Sequence, residues 1–195
     1  MKAAKTAPPP KPAPALRDLA ESLVAFARKC GADEAEVSVS DGYEFNVDVR
    51  KGRIEQLIEA GSRVCGLRVI KDRRTAFASS SDLAMGTLER LVRNAVKRAE
   101  LGSPDEFGEL APLSKERVDA AALDLYDPAV AGLDSRTKIR LALETERLAL
   151  RDKRITNSYG ATFASNEIRS VLAMTNGFVG EYAQTYCGLG VGLQA

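Results

Sequence analysis

Between residues 16 and 27 the apolar side chains Leu16, Leu19, Ala20, Leu23 and Ala27 recur at helical spacing. They predict a helix over about residues 15–30, which Gly31 ends in the left-handed conformation. The period then falls to two. Ala35, Val37 and Val39 alternate with polar residues, and after Asp41-Gly42 the alternation resumes through Phe45, Val47 and Val49. This pattern predicts two strands joined tightly at Asp41-Gly42, with further strands over 53–58, 63–70 and 75–80. The turns between them fall at Lys51-Gly52 and at Lys71 to Arg74. Such short connections make neighbouring strands antiparallel. Ser81-Asp82 offers a cap for a second helix, whose apolar stripe of Leu88, Leu91, Val92, Ala95 and Ala99 runs to about residue 101.

Residues 102–133 carry scattered Gly and Pro and little periodicity, and read as a largely irregular linker. Asp134 caps a third helix over about 135–151, with Ile139, Ala142, Leu143, Ala149 and Leu150 facing inward. Four short strands follow, over 155–164, 168–174, 177–183 and 186–193, as a second antiparallel meander. The fold class is therefore α+β: an antiparallel sheet with flanking helices, then a linker and a second helix plus meander. The expected organisation is a Pro-rich tail (1–14), an N-terminal α+β domain (15–101), a linker (102–133) and a central domain (134–195). The last strand meets Ala195 without a stop signal, and an unpaired sheet edge is normally covered. The expectation is that the chain is part of something longer, or that another chain completes its sheet.

Composition narrows the chemistry. Among 195 residues there is no histidine, which excludes imidazole triads, histidine bases and His-bearing zinc motifs within this sequence. Net charge is +1. Because Lys2, Lys5 and Lys11 lie in the tail, the body has a slight acidic excess and lacks the basic surplus of a nucleic-acid binder. The basic groups Lys71 to Arg74 and Arg93, Lys97, Arg98 read as solvated surface. Cys30, Cys65 and Cys187 have no CxxC spacing and read as reduced, mostly buried thiols. Neither a membrane span nor a signal peptide is indicated, so the expected location is cytoplasmic. The tail, with Pro8, Pro9, Pro10, Pro12 and Pro14, reads as a disordered or polyproline leader, with a PxxP ligand as the alternative.

Local motifs offer little. Gly188-Leu189-Gly190-Val191-Gly192 alternates at strand period with no helix after it. It reads as a strand whose small face admits another backbone or a ligand, rather than as a phosphate loop. Asp33-Glu34-Glu36 and Asp124-Asp127 lack EF-hand spacing and read as surface carboxylates. Ser79-Ser80-Ser81 has no base partner.

Several blocks resemble the TldD/PmbA family. They are Gly31 to Ser40, Val47 to Glu55, Ala76 to Leu83, Leu123-Asp124-Leu125-Tyr126-Asp127-Pro128, Arg154 to Ala161, and Thr175-Asn176-Gly177-Phe178. Their order spans about residues 16–195, and the Leu123 and Arg154 blocks are most similar to the PmbA (TldE) branch. The resemblance implies a cytoplasmic protein more than twice this long, with N-terminal, central and β-rich C-terminal domains. It also implies a heterodimer of TldD-like and PmbA-like subunits, or a homodimer, acting as a zinc metallopeptidase on unfolded or leader peptides. An older name for the family is modulator of DNA gyrase.

In such a complex the zinc is expected on the partner TldD-type subunit, in a His-Glu motif downstream of the region aligned here. No catalytic or metal residue transfers to this chain. Its expected part is to help enclose a cavity that holds extended peptides by main-chain pairing. The candidate peptide contacts are Asn157, Ser158, Gly160, Asn176 and Gly177, which equally serve as plain turn residues. No membrane contact and no direct nucleic-acid contact are expected. The alternative is a non-enzymatic binding or regulatory protein of the gyrase-modulator kind.

Overall fold

A computed structural model describes residues 14–113 and 123–195. Residues 1–13 of the proline-rich leader and 114–122 of the expected linker lie outside the described residues. Helix α1 spans Pro14–Lys29, and the strands β1 (Glu34–Arg50), β2 (Arg53–Lys71) and β3 (Arg74–Ser80) follow. Next come α2 (Met85–Ala99), the single turn α3 (Pro128–Ala131), α4 (Ser135–Ala149), β4 (Asn157–Met174) and β5 (Val179–Gln194). The fold is α+β, as the residue pattern predicts.

The strands, however, are fewer and longer. Asp41-Gly42 is no turn. Asp41 pairs with Arg63 on β2 and with Arg169 on β4, so β1 is hydrogen-bonded on both sides through that point and continues straight. Likewise the expected strands 53–58 and 63–70 are one strand, and the four expected after residue 155 are two. The expected two meanders also merge into a single antiparallel sheet of order β3-β2-β1-β4-β5. The join is β1 with β4, through pairs such as Val37 with Ala173 and Val47 with Phe163.

Local signals do hold at the true turns. Lys51 (φ 50°) and Gly52 (φ 71°) are both left-handed between β1 and β2, the geometry of a type I′ hairpin. Gly31, at φ 93°, closes α1. The Asp134 carboxylate accepts the Thr137 N–H at 2.9 Å, capping α4. Helix α2 begins later than its expected cap: Asp82 accepts from Ala84 N–H and the Thr87 hydroxyl, and the N-cap position is Ala84.

All three long helices cover one face of the sheet. Ala35, Val37, Val39 and, further along, Phe45, Val47 and Val49 are all buried and share the parity of one strand face. The first set packs with α1 and α2, together with Cys65, Leu67, Val69, Val171 and Ala173. The second packs beneath α4, with Ala142, Ala161 and Phe163. The buried stripe of α4 is Lys138, Ala142 and Glu146; Ile139 and Leu143 are only partly buried, and Leu150 is exposed, which corrects the apolar stripe expected there.

A polar candidate site between two apolar clusters

The two apolar clusters do not touch along β1. Between Val39 and Phe45, the positions that should face the helices are Asp41 and Tyr43. The neighbouring strands break in the same register. Arg63 and Arg169 lie opposite Asp41, while Gly61 and Glu167 lie opposite Tyr43. The result is an open cleft of about 750 Å³ whose floor is Asp41, Tyr43, Gly61, Arg63, Glu167 and Arg169, with Ser81 at its rim.

Most of these groups are held by neighbours. Arg169 Nη2 donates to Glu167 Oε1 at 3.0 Å, and the Tyr126 hydroxyl donates to the same oxygen at 3.1 Å. Burial, then the bond to Glu167, raises the Tyr126 pKa. The Tyr43 hydroxyl donates to Glu59, which with partial burial raises its pKa as well. Ser135, at the start of α4, contacts the same Glu59 oxygen at 3.4 Å. Gly61 leaves the floor open, since a Cβ there would meet nothing nearer than the Gly42 carbonyl at 3.8 Å.

Beside the cleft, Lys138 is only 4% exposed. Its ammonium lies 4.8 Å from the Phe45 ring centroid and 5.7 Å from that of Tyr43. Burial lowers its pKa against the opposing pull of Glu59 and Asp134.

The residues singled out from sequence lie elsewhere, at opposite ends of β4, separated by roughly 55 Å of extended chain. At one end Asn157 opens the strand, and buried Ser158 donates to Glu146 Oε1 at 2.6 Å. Gly160, at φ 108°, passes so close to β1 that a Cβ would lie 2.6 Å from the Val49 carbonyl oxygen. At the other end Asn176 donates to the Ala111 carbonyl at 2.9 Å and accepts the Phe178 N–H, while Gly177 supplies φ 95° to the β4–β5 turn. Both groups have local roles in the fold, and neither lines the cleft.

The cleft residues form no recognisable motif in the sequence, although they leave a signal there. In β2 and β4 three successive inward positions turn polar or glycine (Glu59, Gly61 and Arg63; Ser165, Glu167 and Arg169), and in β1 the pair Asp41 and Tyr43 does so within an otherwise apolar alternation. Such a pair resembles a turn. Only the pairing register reveals it as a floor.

The Leu123 to Pro128 block has a structural role beside the cleft. The Leu125 carbonyl accepts the Thr185 N–H at 3.0 Å on the outer edge of β5, and the Asp127 N–H donates to the Thr185 hydroxyl. Asp127 also caps α3 through the Ala129 N–H.

Among the described residues no three His, Cys, Asp or Glu side chains come together as a possible metal site, and the sequence has no histidine. The described residues do not offer a zinc ion a donor set. Among the described residues no helix is long and apolar enough to cross a membrane.

Comparisons with known proteins agree across the chain. The model of PmbA/TldA metallopeptidase domain 1 matches residues 35–99, and that of the PmbA/TldA metallopeptidase central domain matches 128–195. Metalloprotease PmbA of Escherichia coli O157:H7 is 33% identical over 175 residues, covering 88% of this chain and 38% of that protein. The Metalloprotease PmbA homolog of Haemophilus influenzae is 33% identical over 168 residues, covering 86% of this chain and 37% of its own length. The chain thus spans less than two-fifths of these relatives.

A crystal structure from Bacteroides thetaiotaomicron described as a modulator of DNA gyrase superposes with TM-score 0.78 at 25% identity, covering 88% of this chain and 39% of that one. TldE from Thermococcus kodakarensis shares the fold, with TM-score 0.73 at 19% identity over 90% of this chain and 39% of that one.

Proposed function

Because this chain belongs to the PmbA/TldD metallopeptidase family, we propose that it is the N-terminal and central part of a PmbA/TldE-like subunit in a two-subunit zinc peptidase acting on unfolded or leader peptides. The observation that carries this is the 33% identity to Metalloprotease PmbA along 88% of the chain, spread over both matched domains. In this reading the chain works in the cytoplasm, supplies no catalytic group, and leaves the zinc to a TldD-type partner.

What the chain contributes is a surface for extended peptides. Beyond its contact at Thr185, the outer edge of the 16-residue β5 has no strand partner among the described residues. Main-chain pairing along such an edge holds an extended segment whatever its side chains, which suits selection by lack of structure.

The test is a pull-down of the chain with a TldD-type subunit, followed by metal analysis. A stoichiometric complex with zinc held by the partner is expected. Failure to associate, or zinc bound by the isolated chain, would contradict the proposal.

A further inference from the structure

We propose that the cleft between the two apolar clusters binds the main chain of an extended peptide, with Asp41 accepting its N–H and Arg63 donating to its C=O. This inference rests on the peptide-handling role above and assigns it a second site, distinct from the β5 edge.

The first reason is the state of the charges on the floor. Arg63, Asp41 and Arg169 form one row across three strands. Arg169 is engaged by Glu167, and Glu167 by Tyr126 as well. No ion pair joins Asp41 or Arg63 to any described residue. One carboxylate and one guanidinium therefore face the cleft side by side with hydrogen-bonding capacity to spare.

The second reason is the balance of those charges. Two arginines and two carboxylates on the floor cancel, so the cleft selects neither an anion nor a cation. A ligand bearing a donor and an acceptor close together does match. In an extended chain the N–H and C=O of one residue point to the same side, and they complement an acceptor and a donor on adjacent strands.

The third reason is room. A volume of about 750 Å³ lies within the roughly 300–1,000 Å³ typical of ligand pockets. Gly61 keeps the floor clear beside Arg63. Replacing either charged residue should leave the fold intact, since Arg63 is exposed and Asp41 is only part-buried.

The experiment uses the 195-residue chain and three labelled unstructured peptides, one acidic, one neutral and one basic, read by fluorescence anisotropy. Wild type should bind all three comparably. Asp41→Asn and Arg63→Gln should each weaken all three by about tenfold, the scale of one hydrogen bond to a charged group, with the thermal unfolding midpoint unchanged. Gly61→Val should fill the floor and remove binding at the cleft, leaving only what the β5 edge holds, while the protein stays folded.

If the variants bind like wild type, or if only the acidic or only the basic peptide responds, the cleft assignment is overturned while the peptide-handling role stands. If wild type binds none of the peptides, that role itself fails, and the cleft assignment with it.

Discussion

Ser158 and Glu146, on different elements and both buried, meet in a 2.6 Å hydrogen bond at the corner where β1 turns into β2. The Glu146 carboxylate also accepts the Lys51 and Gly52 N–H groups at 3.0 Å each. Helix α4 is thereby fastened to the left-handed hairpin turn as well as to β4. Truncation strands two backbone donors and a hydroxyl in a site where Glu146 is 1% exposed. Glu146→Ala should cost about 2–4 kcal/mol, as expected for losing a buried hydrogen-bonded network. Urea unfolding checks it, and a loss below 1 kcal/mol would show that the turn is held by other means.

The same carboxylate gives stability a pH dependence. Burial pushes its pKa up, but the donations from Gly52, Ser158 and Lys51 and the Arg50 charge outweigh burial and leave it below the ordinary value. A group depressed in the folded state stabilises above its unfolded pKa, about 4.3 for Glu. That contribution is lost as pH falls through the lower folded value. Wild type should therefore lose stability below about pH 4 more steeply than Glu146→Gln, as measured by thermal midpoints between pH 3 and 7; parallel curves for the two proteins would remove Glu146 as the cause.

Two glycines that look alike in sequence should respond differently. At Gly160 an added methyl meets the positive φ and a backbone oxygen 2.6 Å away, so Gly160→Ala should cost about 3 kcal/mol or more, by forcing β4 away from Val49. At Gly177 the φ is 95° but the space is open, and Gly177→Ala should cost only about 1 kcal/mol. Equal losses in denaturant unfolding would contradict the close approach of β4 to β1.

Lys138 is a buried charge held over two rings. Burial lowers its pKa below the ordinary value near 10.4, so the unfolded chain binds more protons in the alkaline window, and stability attributable to this group rises with pH there. Lys138→Met should thus be neutral or stabilising at pH 7, with its advantage shrinking towards pH 10. A loss above about 2 kcal/mol at pH 7 would instead mean that the cation–π contacts with Phe45 and Tyr43 dominate.

Local chemistry made much of this legible beforehand. The helical stripes, Gly31, the Lys51-Gly52 turn and the Asp134 cap each depend on residues close in sequence. What misled was the polar interruption inside long strands: Asp41-Gly42 and Ser165-Asn166-Glu167 carry turn residues, yet both are paired across to β1, β2, β4 or β5. The pairing of β1 with β4 links residues more than a hundred positions apart, and no local pattern specifies it. For the same reason the cleft was invisible: Arg63, Asp41 and Arg169 become neighbours only through register. The residues the sequence did offer, Ser158 and Gly160 among them, stood out for their backbone roles.

The division of labour between this chain and a zinc-bearing partner is tested most directly by hydrolysis of an unstructured peptide by the chain alone, by a TldD-type subunit together with its full-length PmbA-like partner, and by that pair after chelation of zinc. The expected result is no cleavage by the chain alone, cleavage by the pair, and loss of cleavage on chelation. Zinc-dependent hydrolysis by the chain alone, or a pair inactive with zinc present, would contradict it.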